Sequence, residues 1–349
     1  MQKTMDEREL ALRLRENIKN VFEELLLNIK NVALLDFPNH ANVGDSAIWA
    51  GEKEILKKLG ITVKYQCDLK NYSAQALKKA FPKGPILIHG GGNFGDIWPA
   101  HESFRHQIVT DFPDRKIIQL PQSVFYQRAA EREAAARIYS KHRDFTILAR
   151  DAESRKIVTD EMGLNSQLCP DSAFALNLRR SSPPSADVIC LKRTDSEGGL
   201  KDDVERYASL NVDWLADIDW WGLRILNFLE NLRMKYPRRF AFFANIRKMQ
   251  YDKLARKRVQ YGIDILSRGK VVVTDRLHAH ILCFLCQIPH VLIDNSYGKL
   301  SNYYDTWTKD SDITFWAKTF DEGVELAQEI TKKDGLMENK ESGSRGIRA

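Results

Sequence analysis

Apolar and polar positions follow two rhythms along this chain. Residues 5–30 carry acidic, basic and apolar side chains at helical spacing, which predicts one amphipathic helix. From residue 32 onward, short apolar runs recur with amphipathic segments between them. The runs Val32–Phe37, Ile61–Cys67, Pro85–Gly90, Lys116–Leu120, Phe145–Arg150 and Ser166–Cys169 read as strands. Asp45–Leu59, Ser73–Phe81 and Ala129–His142 read as the helices between them. Strands that alternate with helices imply a mostly parallel sheet covered on both faces.

The polar, Pro/Ser-rich stretch Arg179–Ala186 then interrupts the pattern and reads as a linker. A second series follows. Strands are predicted at Val188–Arg193, Phe240–Ile246, Lys270–Thr274 and His290–Asp294, and helices around Trp221–Tyr236, Tyr251–Leu266 and Leu277–Gln287. Residues 194–216 lack periodicity and read as a mobile loop, and residues 334–349 as a frayed, flexible tail. The expected organisation is an N-terminal amphipathic helix at 1–31, a Rossmann-like domain at 32–178, a linker at 179–187 and a second Rossmann-like domain at 188–333. Two doubly wound α/β halves would enclose a cleft, and ligands in such sheets gather beyond the carboxyl ends of the strands. The residues just after each strand therefore matter most.

Composition narrows the classes. The chain has 349 residues, 43% hydrophobic and 29% charged, enough apolar material for two ordinary cores. No apolar run reaches the roughly 18 residues needed to cross a bilayer. The charged start lacks the apolar stretch of a secretory signal, so the expected location is the cytoplasm. Cys67, Cys169, Cys190, Cys283 and Cys286 are scattered and odd in number, which is no disulfide framework. Cys283 and Cys286 fall inside the apolar run ILCFLCQI and read as core residues, with no companion pair at zinc spacing. The net charge of +6 suits a small anionic substrate or an anionic membrane surface. It lacks the basic stripe with interleaved aromatics of a nucleic-acid binder.

Polar residues do follow the strands. After the first comes Asn39-His40-Ala41-Asn42-Val43-Gly44-Asp45. Asp45 reads as an N-cap, and Asn39, Asn42 and Asp45 also read as groups presented to a ligand. After the third comes His89-Gly90-Gly91-Gly92-Asn93-Phe94-Gly95-Asp96. Gly91 and Gly92 permit close approach of backbone to a ligand or simply a tight turn, and Asn93 and Asp96 are placed to touch a sugar hydroxyl. The run lacks both the dinucleotide fingerprint and the P-loop lysine. Arg150 either pairs with a neighbouring carboxylate or serves as a cleft cation. The most informative stretch is Val271-Val272-Val273-Thr274-Asp275-Arg276-Leu277-His278-Ala279-His280. A β-branched strand ends, Thr274 or Asp275 caps, and a helix begins with Arg276 and His278 in its first turn. A helix start favours an anion, and an arginine there adds a bidentate clamp. His278 suits acid–base work near neutrality, while His280, two residues on, faces elsewhere and reads as a packed residue. The last strand runs into Asp294-Asn295-Ser296-Tyr297-Gly298-Lys299, where Lys299 reads as a cleft cation or a solvated lysine.

These motifs, in this order, resemble the polysaccharide pyruvyl transferase family. The matching stretches are 39–45, 89–96, 120–123, 149–154, 169–171, 271–282 and 289–300, with TDRLH and DNSYGK the specific ones. The resemblance implies a glycosyltransferase-B-like fold and transfer of pyruvate from phosphoenolpyruvate to two hydroxyls of one sugar. A cyclic ketal forms and phosphate is released. The acceptor would belong to an exopolysaccharide, capsule or cell-wall repeat unit, often on a lipid diphosphate carrier, which brings peripheral contact with the inner face of a membrane. Arg276 and His278 match the family's R-x-H at the phosphoenolpyruvate site, and Arg150 matches a family arginine. No cofactor and no metal are implied. On this reading Arg276, Lys299 and the helix start neutralise the donor, His278 is the acid and Asp96 the base, with Asp275 and Asn295 lining the site. The rival readings are a nucleotide-sugar glycosyltransferase of the same architecture and a non-catalytic scaffold of polysaccharide assembly.

Overall fold

The computed structural model describes residues 7–193, 241–294 and 298–345, together with Trp214, Phe228 and Leu232. The chain divides into two compact units. One comprises Leu12–Leu176 with Leu215–Val259, the other Met1–Ala11, Asn177–Trp214 and Gln260–Ala349.

The first unit contains most of α1 (Glu7–Leu25), then β1 (Asn31–Leu35), α2 (Val43–Lys58), β2 (Thr62–Cys67), α3 (Ala74–Ala80), β3 (Ile86–Ile88), β4 (Gly91–Phe94), α4 (Pro99–Asp111), β5 (Ile117–Val124), α5 (Ala129–Tyr139), β6 (Phe145–Ala149), α6 (Ala152–Lys156) and β7 (Ser166–Leu168). Its parallel sheet has the order β2-β1-β3-β5-β6-β7, with β4 beside β5. Both faces are buried. Ala33, Leu35, Ile86, Ile88, Ile117 and Ile147 pack into one core, and the alternate residues Val32, Leu34, Leu87, Ile118 and Leu148 are buried as well. Burial on both faces explains why these strands read as unbroken apolar runs. β2 and β3 flank β1 on opposite sides, so the winding reverses between β1 and β3. At such a reversal the loops leaving the two strands diverge and open a crevice at their carboxyl ends.

The second unit contains β8 (Ala186–Leu191), the end of α7 (Ala241–Ser267), β9 (Gly269–Thr274), α8 (Leu277–Cys286), β10 (His290–Leu292), α9 (Lys299–Tyr303), β11 (Thr314–Trp316) and α10 (Phe320–Arg345). Its strands run parallel in the order β11-β10-β9-β8. Val188, Cys190, Val271, Val273, Val291 and Ile293 pack on Phe320, Val324 and Ala327 of α10. All five cysteines are free and buried, as core residues are.

Several expectations change. The strand expected at Phe240–Ile246 is absent, because residues from Ala241 belong to α7. An apolar run alone does not distinguish strand from helix, and no glycine or proline interrupts this one before Gly262. The tail expected from residue 334 is helical to Arg345. The glycine run is a short strand, β4, rather than a turn into a helix, with Gly91 opposite Gln122 and Phe94 opposite Val124. Gly90 is required there, since a Cβ would stand 2.5 Å from the Pro121 carbonyl. The loop expected at 194–216 and the helix expected around Trp221–Tyr236 lie, apart from Trp214, Phe228 and Leu232, outside the described residues. Among the described residues, no helix is long and apolar enough to cross a membrane.

Candidate active site

In the second unit Leu191, Thr274 and Leu292 are direct neighbours across three strands, so β8, β9 and β10 end at one level. The residues that follow them leave the same edge. Thr274 anchors the turn: its hydroxyl donates to the Leu191 carbonyl at 2.8 Å and accepts the Arg276 N–H at 3.1 Å. The N-cap of α8 is therefore Arg276, not Thr274 or Asp275, and no side chain caps this helix. Asp275 instead turns inward and accepts the Arg193 N–H at 2.9 Å. Burial pushes its carboxyl up, with the Arg193 N–H and the Arg276 charge pulling it back. Arg276 is 7% exposed, and its Nη2 reaches the Lys192 carbonyl at 3.5 Å. His278 is half-buried in the first turn of α8, and Lys299, also half-buried, opens α9 behind Gly298, whose φ is +70°. Lys192, Arg193, Arg276 and Lys299 thus stand at one sheet edge with Asp275 and Asp294, a cationic excess that suits a small anion. Asn295 lies outside the described residues.

His280 is the packed residue that its spacing predicts. Its Nδ1 meets His290 Nε2 at 2.7 Å and its Nε2 meets Thr308 Oγ1 at 2.8 Å, all fully buried.

In the first unit Leu35 pairs with both Cys67 and Ile88, so Asp36, Asp68 and His89 emerge together at the crevice. Asp36 is buried at φ +70°, a left-handed conformation that is unusual for a non-glycine residue and clusters at functional sites. Its carboxylate holds His101 Nδ1 at 2.9 Å. Asn39 Nδ2 donates to Asp68 at 3.2 Å. Asn42, not Asp45, caps α2, accepting the Gly44 N–H at 2.8 Å. Asp45 sits in the first turn, 3.5 Å from His40 Nε2. His89 Nδ1 lies 2.8 Å from Glu52, which also accepts the Gly90 N–H at 2.8 Å. Burial pushes His89 down, but the charge and hydrogen bond of Glu52 together with the charges of Asp36 and Asp45 outweigh it, and the imidazole is held up. Gly91 and Gly92 line this edge as part of β4.

Three predicted site residues are held by neighbours. Asn93 Oδ1 accepts from Arg105 and Gln122, both at 2.9 Å, which fixes the amide and turns its NH2 away from them. Asp96 accepts the Gln127 and Arg128 N–H groups at 2.8 and 3.0 Å, so both oxygens serve the turn before α5. Each oxygen keeps one further lone pair, so these bonds fix the carboxylate's position at the turn. Arg150 is fully buried, paired with Asp171 at 2.8 Å and bonded to Ser123 Oγ at 2.9 Å, so it is a neutralised brace rather than an open cation. The sequence reading missed Asp36, Glu52, His101, Tyr251 and Arg258. Glu52 alone carried a signal, an acid on the face of α2 that buries Ile48 and Ile55. From α7, Tyr251 stacks on Phe37 with centroids 3.9 Å apart and donates to Asp68, and Arg258 donates to the Pro38 carbonyl at 2.9 Å. Among the described residues, no group of three or more His, Cys, Asp or Glu could hold a metal ion.

Known proteins resemble this chain in sequence and fold. The sequence profile of the family described as polysaccharide pyruvyl transferase matches residues 42–297. Pyruvyl transferase 1 of Schizosaccharomyces pombe is 35% identical over 302 residues, 82% of this chain and 72% of the yeast protein. A Bacillus subtilis protein named as the pyruvyl transferase EpsO is 30% identical over 340 residues, 95% of this chain and 99% of its own. The crystal structure of an uncharacterised Klebsiella pneumoniae protein shares the fold, with a TM-score of 0.59 at 18% identity over 88% of this chain and 99% of that one. With the motif order, the parallel α/β sheets and the profile match in agreement, this chain belongs to the polysaccharide pyruvyl transferase family.

Proposed function

We propose that this enzyme transfers pyruvate from phosphoenolpyruvate to two hydroxyls of one sugar in a bacterial exopolysaccharide, capsule or cell-wall repeat unit, leaving a cyclic ketal and free phosphate. The observation that carries the reading is the level ending of β8, β9 and β10, which sets Arg276, Lys192, Arg193 and Lys299 around the start of α8. A donor with a carboxylate and a phosphate fits such an edge, where an arginine fork binds either group bidentately. The two α/β units are read as the halves of a glycosyltransferase-B-like enzyme, the second taking the donor and the first the saccharide.

In the proposed reaction His278 delivers a proton to the donor's methylene carbon, leaving an oxocarbenium-like centre at C2. A sugar hydroxyl adds to C2 and gives up its proton. The C2–O bond to phosphate then breaks, phosphate departs with the bonding electrons, and the second hydroxyl closes the ring as its proton leaves. Arg276 and Lys299 stabilise the negative charge that grows on phosphate. With both Asp96 oxygens bonded to backbone N–H groups, the proton of the first hydroxyl is assigned to His101, and the proton of the second leaves on the departing phosphate. Asp36 orients one of its ring nitrogens, and the ring is partly exposed. Asn93, Asn39 and Asn42 remain donors for sugar hydroxyls. A lipid-diphosphate acceptor would place the reaction at the cytoplasmic face of a membrane.

Phosphate release from phosphoenolpyruvate, followed with galactose- or mannose-containing acceptors, tests the reading. His278→Ala is expected to lower turnover by on the order of 100-fold or more, and Arg276→Ala chiefly to raise KM for the donor. Native rates in both variants would remove them from the mechanism. Thermal stabilisation by nucleotide sugars but not by phosphoenolpyruvate would favour a glycosyltransferase instead.

A further inference from the structure

We propose that Arg258, the loop Pro38–Asn42 and the start of α2 form an oxyanion site in the first unit, one that takes a phosphate group. Among its described residues the first unit buries three arginines almost completely: Arg105 and Arg150 at 0% exposure and Arg258 at 1%. Arg105 is neutralised by Glu102 at 2.8 Å and bonded to Asn93. Arg150 is neutralised by Asp171. Arg258 differs from both. One nitrogen donates to the Pro38 carbonyl at 2.9 Å, its Nε has no partner, and among the described residues no carboxylate forms an ion pair with it.

A guanidinium carries five N–H donors and cannot shed its charge to escape burial. Leaving such a group desolvated and unmatched is costly, and replacing it by an apolar side chain is often neutral or stabilising. Packing alone therefore does not account for an arginine here. Burial pulls its pKa to about 10, and the Asp45 charge, which lies nearby without contact, offsets this only in part. The surroundings favour an oxyanion. The loop that carries Pro38 continues through Asn39, His40 and Asn42, which are half-buried or exposed and so open to a ligand. α2, sixteen residues long, begins at this loop and presents its positive end. Asp45 opposes a loosely held anion, so the site selects one that takes the guanidinium fork directly. The phosphate of phosphoenolpyruvate and the diphosphate of a lipid-carried acceptor supply the same chemistry. The site stands on geometry, and only the assignment of its anion to a substrate rests on the pyruvyl-transfer reading.

The full-length chain with Arg276→Met, which silences the other cationic edge, is titrated with inorganic phosphate and pyrophosphate at constant ionic strength. Thermal unfolding and calorimetry report binding. The expected result is that adding Arg258→Met weakens pyrophosphate binding at least tenfold while the protein stays as stable or gains stability. Equal affinity with and without Arg258 overturns the proposal, as does a loss of stability with affinity unchanged. Should Arg258→Met not fold, Arg258→Lys keeps a charge without the fork and is expected to bind several-fold more weakly; native affinity in that variant also overturns the site. In turnover assays of Arg258→Met alone, a rise in KM confined to phosphoenolpyruvate assigns the anion to the donor, and one confined to the acceptor assigns it to the carrier. If the native enzyme turns over no phosphoenolpyruvate, the reaction assignment fails while the pyrophosphate titration still decides the site.

Discussion

Two buried histidines, one in each unit, meet opposite neighbours. His89 lies against the carboxylate of Glu52, which with the charges of Asp36 and Asp45 holds the imidazole up against the effect of burial. His280 lies against a second histidine, and burial drives it well below 6.5, with His290 adding to the effect. The first imidazole is shifted up and the second down. Arginines differ as well. Arg105 and Arg150 in the first unit are matched to carboxylates, whereas Arg258 in the same unit and Arg276 in the second each reach a backbone carbonyl oxygen. A matched network holds its side chains rigid. An edge with excess positive charge waits for an anion.

The largest effect comes from breaking a matched pair. Asp171→Ala leaves Arg150 charged, buried and without its carboxylate, and is expected to destabilise the protein by about 3–5 kcal/mol. Denaturant unfolding checks this. A loss under about 1 kcal/mol would show that the pair behaves like a surface salt bridge and that the contrast between the two kinds of arginine is one of geometry, not energy.

That pair also shows where sequence reading stops. A polar residue after a strand is equally a ligand group, a cap or half of an ion pair, and the deciding partner lies far along the chain. Asp96 is claimed by N–H groups 31 and 32 residues away, and Arg150 by a carboxylate 21 residues away. Arg258 meets its carbonyl across 220 residues, a separation that no local pattern records. Thr274–His278 was legible because strand end, turn and helix start are contiguous, and the β-branched run marks the boundary by itself. The parallel sheets were legible for the same reason, as each strand is a buried apolar run with a helix after it. Phe240–Ile246 failed where an apolar run and a helix-forming context compete within a few residues.

Acid sharpens the histidine comparison. His290 is held at about 4 by burial, below the ordinary 6.5, so the fold keeps it neutral while the unfolded chain takes up a proton. Its contribution is present above pH 6.5 and is lost as pH falls toward 4, on the order of 3 kcal/mol. His280 acts in the same direction. His89 has the opposite sign: its stabilisation is complete below 6.5 and fades as pH rises through its raised value. Calorimetry between pH 7 and pH 4.5 should therefore show the second unit losing stability ahead of the first. Substituting His290 by Gln should flatten that slope. A parallel decline of both units would mean that the two histidine environments do not govern acid stability.

The smallest effect concerns two helix starts. α2 is capped by the Asn42 side chain, and α8 begins at Arg276 with no side-chain cap. Asn42→Ala removes an acceptor from the Gly44 N–H and should cost about 1 kcal/mol. Asn42→Ser keeps a capping oxygen but shortens the side chain and removes its NH2, so stability should return nearly to native. Activity then separates the two roles that the loop allows. If Asn42→Ser restores stability but leaves KM for the acceptor raised, the amide touches the sugar as well as capping the helix. If it restores both, Asn42 is a cap only, and the ligand contacts of this edge belong to residues whose side chains are not spent on holding α2 in place.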